Sequence, residues 1–210
     1  MEFQTKSTSK EIYQYSFKRR ERTIQKNAKE IISNVSKEEG FTVVVEDESL
    51  FIHDGVVRRM WVPEGKCTIV VTTGSHQKAF VFGALCIDAR RQFFRQYNAF
   101  DCNTFIDYLK NLQNKFHKVM LFLDKATQHY RSIKVRKHLE ENKMNMKVEY
   151  LPKGSPDFNA VEECWRQGKD DLPISKYYSI LYNTKHAIAN YYRIKRFKLD
   201  IAKYLLRNVA

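Results

Sequence analysis

Three acidic residues, Asp47, Asp124 and Glu162, stand where an apolar strand gives way or a helix begins. Asp47 follows Phe41-Thr-Val-Val-Val, Asp124 follows Lys118-Val-Met-Leu-Phe-Leu, and Glu162 closes Ser155-Pro-Asp-Phe-Asn-Ala-Val-Glu ahead of a helical stretch. Carboxylates drawn together from separate element ends can hold divalent cations that no single segment could hold. The surrounding chain carries 37 Lys and Arg against 24 acidic residues, a net charge of +13. Hard oxygen donors inside a cationic protein point to metal-dependent chemistry on nucleic acid.

Each acid also has an ordinary explanation. In a strand, side chains alternate, so Val43, Val45 and Asp47 point one way while Val44, Glu46 and Glu48 point the other. That makes Asp47 a better candidate than its neighbours, although a lone Asp at a strand exit is usually a turn former. Asp124 ends a strand that reads as central, where an unpaired carboxylate is costly; its partner is either a metal ion or a salt bridge. Asn159-Ala-Val-Glu162 matches a capping box, in which the Glu bonds back to the cap's amide. What favours a common site is the ensemble: two strand-end acids, a third on a following helix, and a basic chain.

The elements that must position these residues follow from periodicity and punctuation. Lys18-Arg-Arg-Glu-Arg22, followed by Ile24, Ala28, Ile31, Ile32 and Val35 at helical spacing, gives residues 1–40 the character of a basic helical lead-in. After Gly40, the spacing predicts strands at Phe41–Glu46, Val56–Trp61, Cys67–Thr72 and Ala79–Ile87, joined by short turns as an antiparallel meander. Asp101 or Asn103 caps a helix whose apolar face is Phe105, Ile106, Leu109, Leu112 and Phe116. Val119–Leu123 reads as a strand covered on both faces, residues 130–143 as a helix, and Lys147–Leu151 as another strand. Pro152-Lys-Gly-Ser-Pro156 forces a loop. Strands first, then alternating helix and strand, predict a mixed α/β sheet flanked by helices, with ligands where strands end. Residues 173–210 form a basic C-terminal extension, either one long helix from Lys176 to Asn208 or two joined near Thr184. Arg193, Lys195, Arg196 and Lys198 are its candidate phosphate contacts.

Composition bounds the class. At 210 residues and 43% apolar, the chain can bury one principal core with appendages. No run approaches the roughly 18 apolar residues of a membrane span, and the first residues lack a signal-peptide core, so an intracellular protein is expected. Cys67, Cys86, Cys102 and Cys164 form no C-x-x-C pair, which argues against a zinc ribbon and for buried thiols. Residues 163–210 hold ten basic residues against four acidic ones, the most cationic stretch for its length. Such charge gives salt-sensitive, sequence-indifferent attraction to phosphate.

These segments together resemble the D-D-E catalytic domain of mariner-like transposases, in the bacterial and archaeal insertion-sequence branch. The resemblance covers residues 41–172. Val45-Glu-Asp-Glu-Ser49 is similar to the family's first acidic strand and Trp61-Val-Pro-Glu-Gly65 to a Trp-x-x-x-Gly turn after it. Leu121-Phe-Leu-Asp-Lys-Ala-Thr-Gln-His129 is similar to the second acidic strand. Leu151-Pro-Lys-Gly-Ser-Pro-Asp-Phe-Asn-Ala-Val-Glu-Glu-Cys-Trp165 carries the third-acid signature and is the most specific of the four. Two departures stand out: Lys125 where the family usually has Asn, and Ala160 where it usually has Pro.

The resemblance implies a ribonuclease H-like fold with Asp47, Asp124 and Glu162 as catalytic metal ligands, and His129 as a group that stands behind those ligands or orients a phosphate. It implies two Mg2+ ions, with Mn2+ as a substitute, about 4 Å apart. The implied activity is DNA strand cleavage and strand transfer at transposon ends. The expected partners are transposon-end and target DNA and a second copy of the chain, without a membrane, in the cytoplasm at the nucleoid. Only about forty residues precede the catalytic part, so the helix-turn-helix reader usual in the family is expected to be missing. The competing expectation, motivated by Lys125 and that missing reader, is an inactive remnant that only binds DNA non-specifically.

Overall fold

A computed structural model describes residues 40–54, 63–65, 69, 74, 76–87, 91–124, 131–151, 159–172 and 178–205. Five strands form one sheet: β1 (Phe41–Ile52), β2 (Lys78–Cys86), β3 (Gln92–Tyr97), β4 (Lys118–Leu123) and β5 (Met146–Tyr150). Their order is β3-β2-β1-β4-β5. β2 runs antiparallel to β1 and β3, whereas β4 runs parallel to β1 and β5. The helices are α1 (Cys102–Phe116), α2 (Ile133–Glu141), α3 (Val161–Asp171), α4 (Leu181–Ile194) and α5 (Ile201–Leu205).

Alternation along the strands sorts the core into two layers. Val44, Phe82, Ala84, Val119 and Leu121 face α1 and α2, where Phe105, Tyr108, Leu109, Leu112 and Val135 meet them. Val43, Val45, Val81, Leu85, Met120 and Phe122 face the other way, onto Val161, Cys164 and Trp165 of α3 and Ile188 and Tyr192 of α4. β4 is buried on both faces, as its unbroken apolar run requires. α1 starts at Asp101, whose side chain accepts from the amides of Asn103 and Thr104 while Thr104 Oγ1 accepts from the Asp101 amide.

Three expectations need correction. β1 does not end before Asp47; it continues to Ile52, because β2 pairs with it as far as Ile52 opposite Lys78. β3 was not apparent from the sequence, since Phe93 and Phe94 are adjacent and go to opposite layers. The C-terminal helix does not break near Thr184. α4 runs through that residue and ends at Ile194, where Gln92 of β3 donates to the carbonyls of Tyr192 (3.3 Å) and Lys195 (2.6 Å). Gln92 Oε1 then accepts from the Phe197 amide at 3.3 Å, and Phe197 turns into the core. One β3 side chain thus satisfies the backbone groups that a helix end leaves open. Residues 1–39 and Val56–Trp61 lie outside the described residues, as does Cys67–Thr72 apart from Ile69, which is exposed.

α4 and α5 belong to the same core as the sheet: Ile188, Tyr192, Phe197 and Ile201 are all buried in it. Tyr192 is the hinge of this packing, stacked on Phe94 with ring centroids 4.6 Å apart and edge-on to Trp165 at 5.4 Å. Its ring leaves no room at Gly168, where a Cβ would meet the Tyr192 hydroxyl and lie 2.9 Å from Cζ. Gly168→Ala therefore lowers stability by about 1–3 kcal/mol from overpacking, reversing the roughly 1 kcal/mol that Ala ordinarily gains over Gly inside a helix. Thermal melting checks this, and an unchanged or higher Tm would contradict it.

Candidate active site

The first two acids lie on β1 and just beyond β4, which pair in parallel. Val45 lies opposite Phe122 at the end of this pairing, and Asp47 and Asp124 each follow two residues later. Val45 and Phe122 both face α3, and alternation along β1 turns Asp47 to that same side. Asp47 is half-buried within β1; Asp124 is exposed, the first residue beyond β4. The position of Asp124 is the usual one for a ligand site in such sheets, just outside the carboxyl end of a strand.

α3 brings the third acid. Val161, Cys164 and Trp165 bury its inner stripe, while Glu162 stands exposed on the first turn. Two side chains fasten this helix to adjacent residues of β1. Buried Asn159 donates from Nδ2 to the Glu46 carbonyl at 2.9 Å, and its Oδ1 accepts from the Val161 amide at 3.1 Å. Trp165 donates from Nε1 to Asp47 Oδ2 at 2.8 Å. The expected capping box does not form: the helix has no side-chain cap at Ala160, and the Glu162 amide bonds the Asn159 carbonyl instead. Asn159 is turned toward β1, which leaves the Glu162 carboxylate outside the cap.

Both other acids act electrostatically on Asp47. Burial, then the neighbouring Glu162 carboxylate, push Asp47 up to about 7; the Trp165 and Glu48 N–H groups pull the other way, and Asp124 adds to the rise. On the opposite face of β1, Glu46 is raised well above the usual carboxylate range, first by burial and then by Glu48, Asp47 and Asp124. Its Oε1 has no hydrogen-bond partner. Among the described residues, no three His, Cys, Asp or Glu side chains already converge on one point as a metal cluster. The donor set still suits a hard cation: carboxylates from β1, the end of β4 and α3, with Asp47 repelled by both others until positive charge arrives.

Trp165 and Asn159 were not picked out from sequence as parts of the site. Trp165 reads there as a core residue, which it is, with 2% of its surface exposed. The available signal was chemical, since a buried indole N–H needs an acceptor. His129 and Lys125 lie outside the described residues. Arg193, Lys195, Arg196 and Lys198 do not line one helix face. Arg193 closes α4 and donates to Asn190, Lys195 pairs with Asp171 at 3.3 Å, and Arg196 donates to the Arg193 carbonyl. Lys198 is exposed in the extended stretch after Phe197.

Known structures share this architecture. The Mos1 transposase paired-end complex with left transposon end aligns with a TM-score of 0.59 at 17% identity, over 90% of this chain and 57% of that one. The Mos1 mariner paired-end complex with Mn aligns at 0.57 and 17%, over 90% and 58%. The corresponding complex with Mg gives 0.59 and 14%, over 99% and 62%. The chain thus spans little more than half the length of these proteins, and the likeness defines a ribonuclease H-like fold. Residues 42–179 match the DDE superfamily endonuclease family, and the chain belongs to it. No curated protein sequence matches it.

The raised Asp47 has a thermodynamic consequence in metal-free protein. The folded chain holds this proton up to about pH 7, whereas an unfolded Asp releases it near pH 4. The group's contribution to stability is therefore full below about pH 4 and is lost as pH rises through 7. Asp47→Asn, neutral throughout and still able to accept from Trp165, raises Tm at pH 8 in chelator by several degrees, at about 2–4 °C per kcal/mol. The gain shrinks on acidification, and added Mn2+ stabilises the variant less than the wild type. Calorimetry across pH 4–8 checks both; an unaltered Tm at pH 8 contradicts the repulsion.

Proposed function

We propose that this chain carries the catalytic domain of a DNA transposase, cleaving DNA at transposon ends and joining the freed strand to target DNA. The observation that supports the reading is that Asp47 lies in β1, Asp124 directly follows the neighbouring parallel strand β4, and α3, which bears Glu162, is fastened to Glu46 and Asp47 of β1. Family membership and the Mos1 fold support it. Mos1 structures with Mn and with Mg support a divalent cation.

In this reading Asp47, Asp124 and Glu162 are the metal ligands, and Mg2+ is the natural ion with Mn2+ as a substitute. Bound divalent cations supply activation of the attacking oxygen and stabilisation of the leaving one in an in-line displacement. The protein's own contribution is to hold the three carboxylates at fixed separations on rigid elements and to bring DNA to them. Arg193, Arg196 and Lys198, exposed near the end of α4, are proposed to receive backbone phosphate. Ala160 in place of the family's usual Pro leaves this geometry intact. Its φ of −63° is the value Pro would impose.

Nicking of supercoiled or transposon-end DNA in Mg2+ or Mn2+ tests the proposal. Asp124→Asn, which keeps the size of the side chain but removes its charge, lowers nicking by more than about a hundredfold, beyond the cost of losing an outer-shell partner. Undiminished nicking by this variant sinks the assignment. Salt-sensitive DNA retention by clean wild-type protein, with no cleavage in either metal, would instead identify a DNA-binding remnant.

A further inference from the structure

We propose that Trp165 is a positioning residue of the acidic site: its indole N–H, held rigidly over Gly83, fixes the Asp47 carboxylate and thereby sets how tightly the site holds a divalent cation. The inference rests on the reading of Asp47 and Asp124 as metal ligands. It assigns to an apolar core residue a part in the chemistry.

The geometry is built around an absent side chain. Gly83 of β2 lies directly opposite Asp47 of β1 in the antiparallel register, on the same face of the sheet. A Cβ there would come within 2.5 Å of both Trp165 Cη2 and Phe94 Cε1. The missing methyl thus leaves the space that the Trp165 ring edge occupies beside β2, across from Asp47. Phe94 closes this space edge-on, with centroids 5.5 Å apart at 84°, and Tyr192 does so from another side at 5.4 Å and 72°. A ring confined on these sides cannot redirect its N–H, and that N–H reaches Asp47 Oδ2 at 2.8 Å.

The donor is therefore preorganised, and its acceptor is an ionisable carboxylate, the arrangement in which a hydrogen bond is strongest and most orienting. With Oδ2 engaged, the Asp47 side chain is held in one orientation. Trp165 also lies one turn after Glu162 on α3, so the same helix carries the third acid and the group that orients the first. Any shift of α3 that misplaces Glu162 also releases Asp47. Packing alone would require only an aromatic ring at this position, and Phe supplies one without the N–H. The two roles can be separated by experiment.

Mn2+ binding to the full chain, measured by electron paramagnetic resonance of the free ion, is compared for wild type, Trp165→Phe, Asp47→Asn and Asp124→Asn. Trp165→Phe is expected to weaken Mn2+ binding by about 10–100-fold, the usual cost of losing a partner behind a ligand, while still melting cooperatively. A second measurement needs only the wild-type fold. The indole N–H resonance of Trp165, distinguished from that of Trp61 by Trp61→Phe, shifts on titration with diamagnetic Mg2+ and does not shift in Asp124→Asn. Wild-type Mn2+ affinity in Trp165→Phe alongside lost affinity in Asp47→Asn overturns the inference and leaves the acidic site standing. So does an indole resonance indifferent to saturating Mg2+. Unchanged Mn2+ binding in both acid variants overturns the acidic site and this inference with it.

Discussion

The hydrogen bond from the Trp165 indole to Asp47 joins a helix to the middle of a strand at the point where the chemistry is proposed, and much of the molecule is arranged to make it possible. It requires α3 to lie against the sheet, which Asn159 enforces from just before the start of the helix. It requires β2 to present no side chain at Gly83. It requires Phe94 and Tyr192 to close around the ring, which brings β3 and α4 into the same core. Helix, three strands and the C-terminal segment therefore converge on one donor and one acceptor.

Acidic residues inside a strand are a poor choice for stability alone, and β1 carries three in succession. The strand divides them between two environments. Glu46 points into the α1 layer, where burial favours its neutral form and no partner meets Oε1. Asp47 points toward α3 and is only partly enclosed, near enough to Glu162 and Asp124 to feel their charge. The two-residue period of the strand thus sends consecutive carboxyl groups to opposite layers, and both are pushed toward the neutral form. The cost is local, and it falls where a divalent cation would relieve it.

Periodicity made a large part of this legible in advance. The alternation of Val43, Val45 and Asp47 against Val44 and Glu46 is the division the two core layers show, and the unbroken run Val119–Leu123 is the buried strand it suggested. Asp101 caps α1 as its type and place imply. What escaped were features decided by distant partners. β1 runs past its acids because β2 supplies hydrogen bonds to the end, overriding the low strand preference of Glu and Asp. Helix α4 ends where Gln92, over a hundred residues earlier, meets its carbonyls. Asn159 gives its side-chain amide to Glu46, 113 residues away, so a local capping pattern was not realised. No window of neighbouring residues contains that information.

The parallel pairing of β1 and β4 also constrains how this chain can vary in length. Val45 is opposite Phe122, and both face α3. One residue inserted or deleted within β4 would preserve an apolar strand yet exchange the faces of the residues beyond it, moving side chains from one core layer to the other. Such a chain would have to repack both layers, and folding itself would suffer. The length of this strand is thus tied to packing on both of its faces, and any such change in the distance between the two acids along the chain has to pass through that packing first.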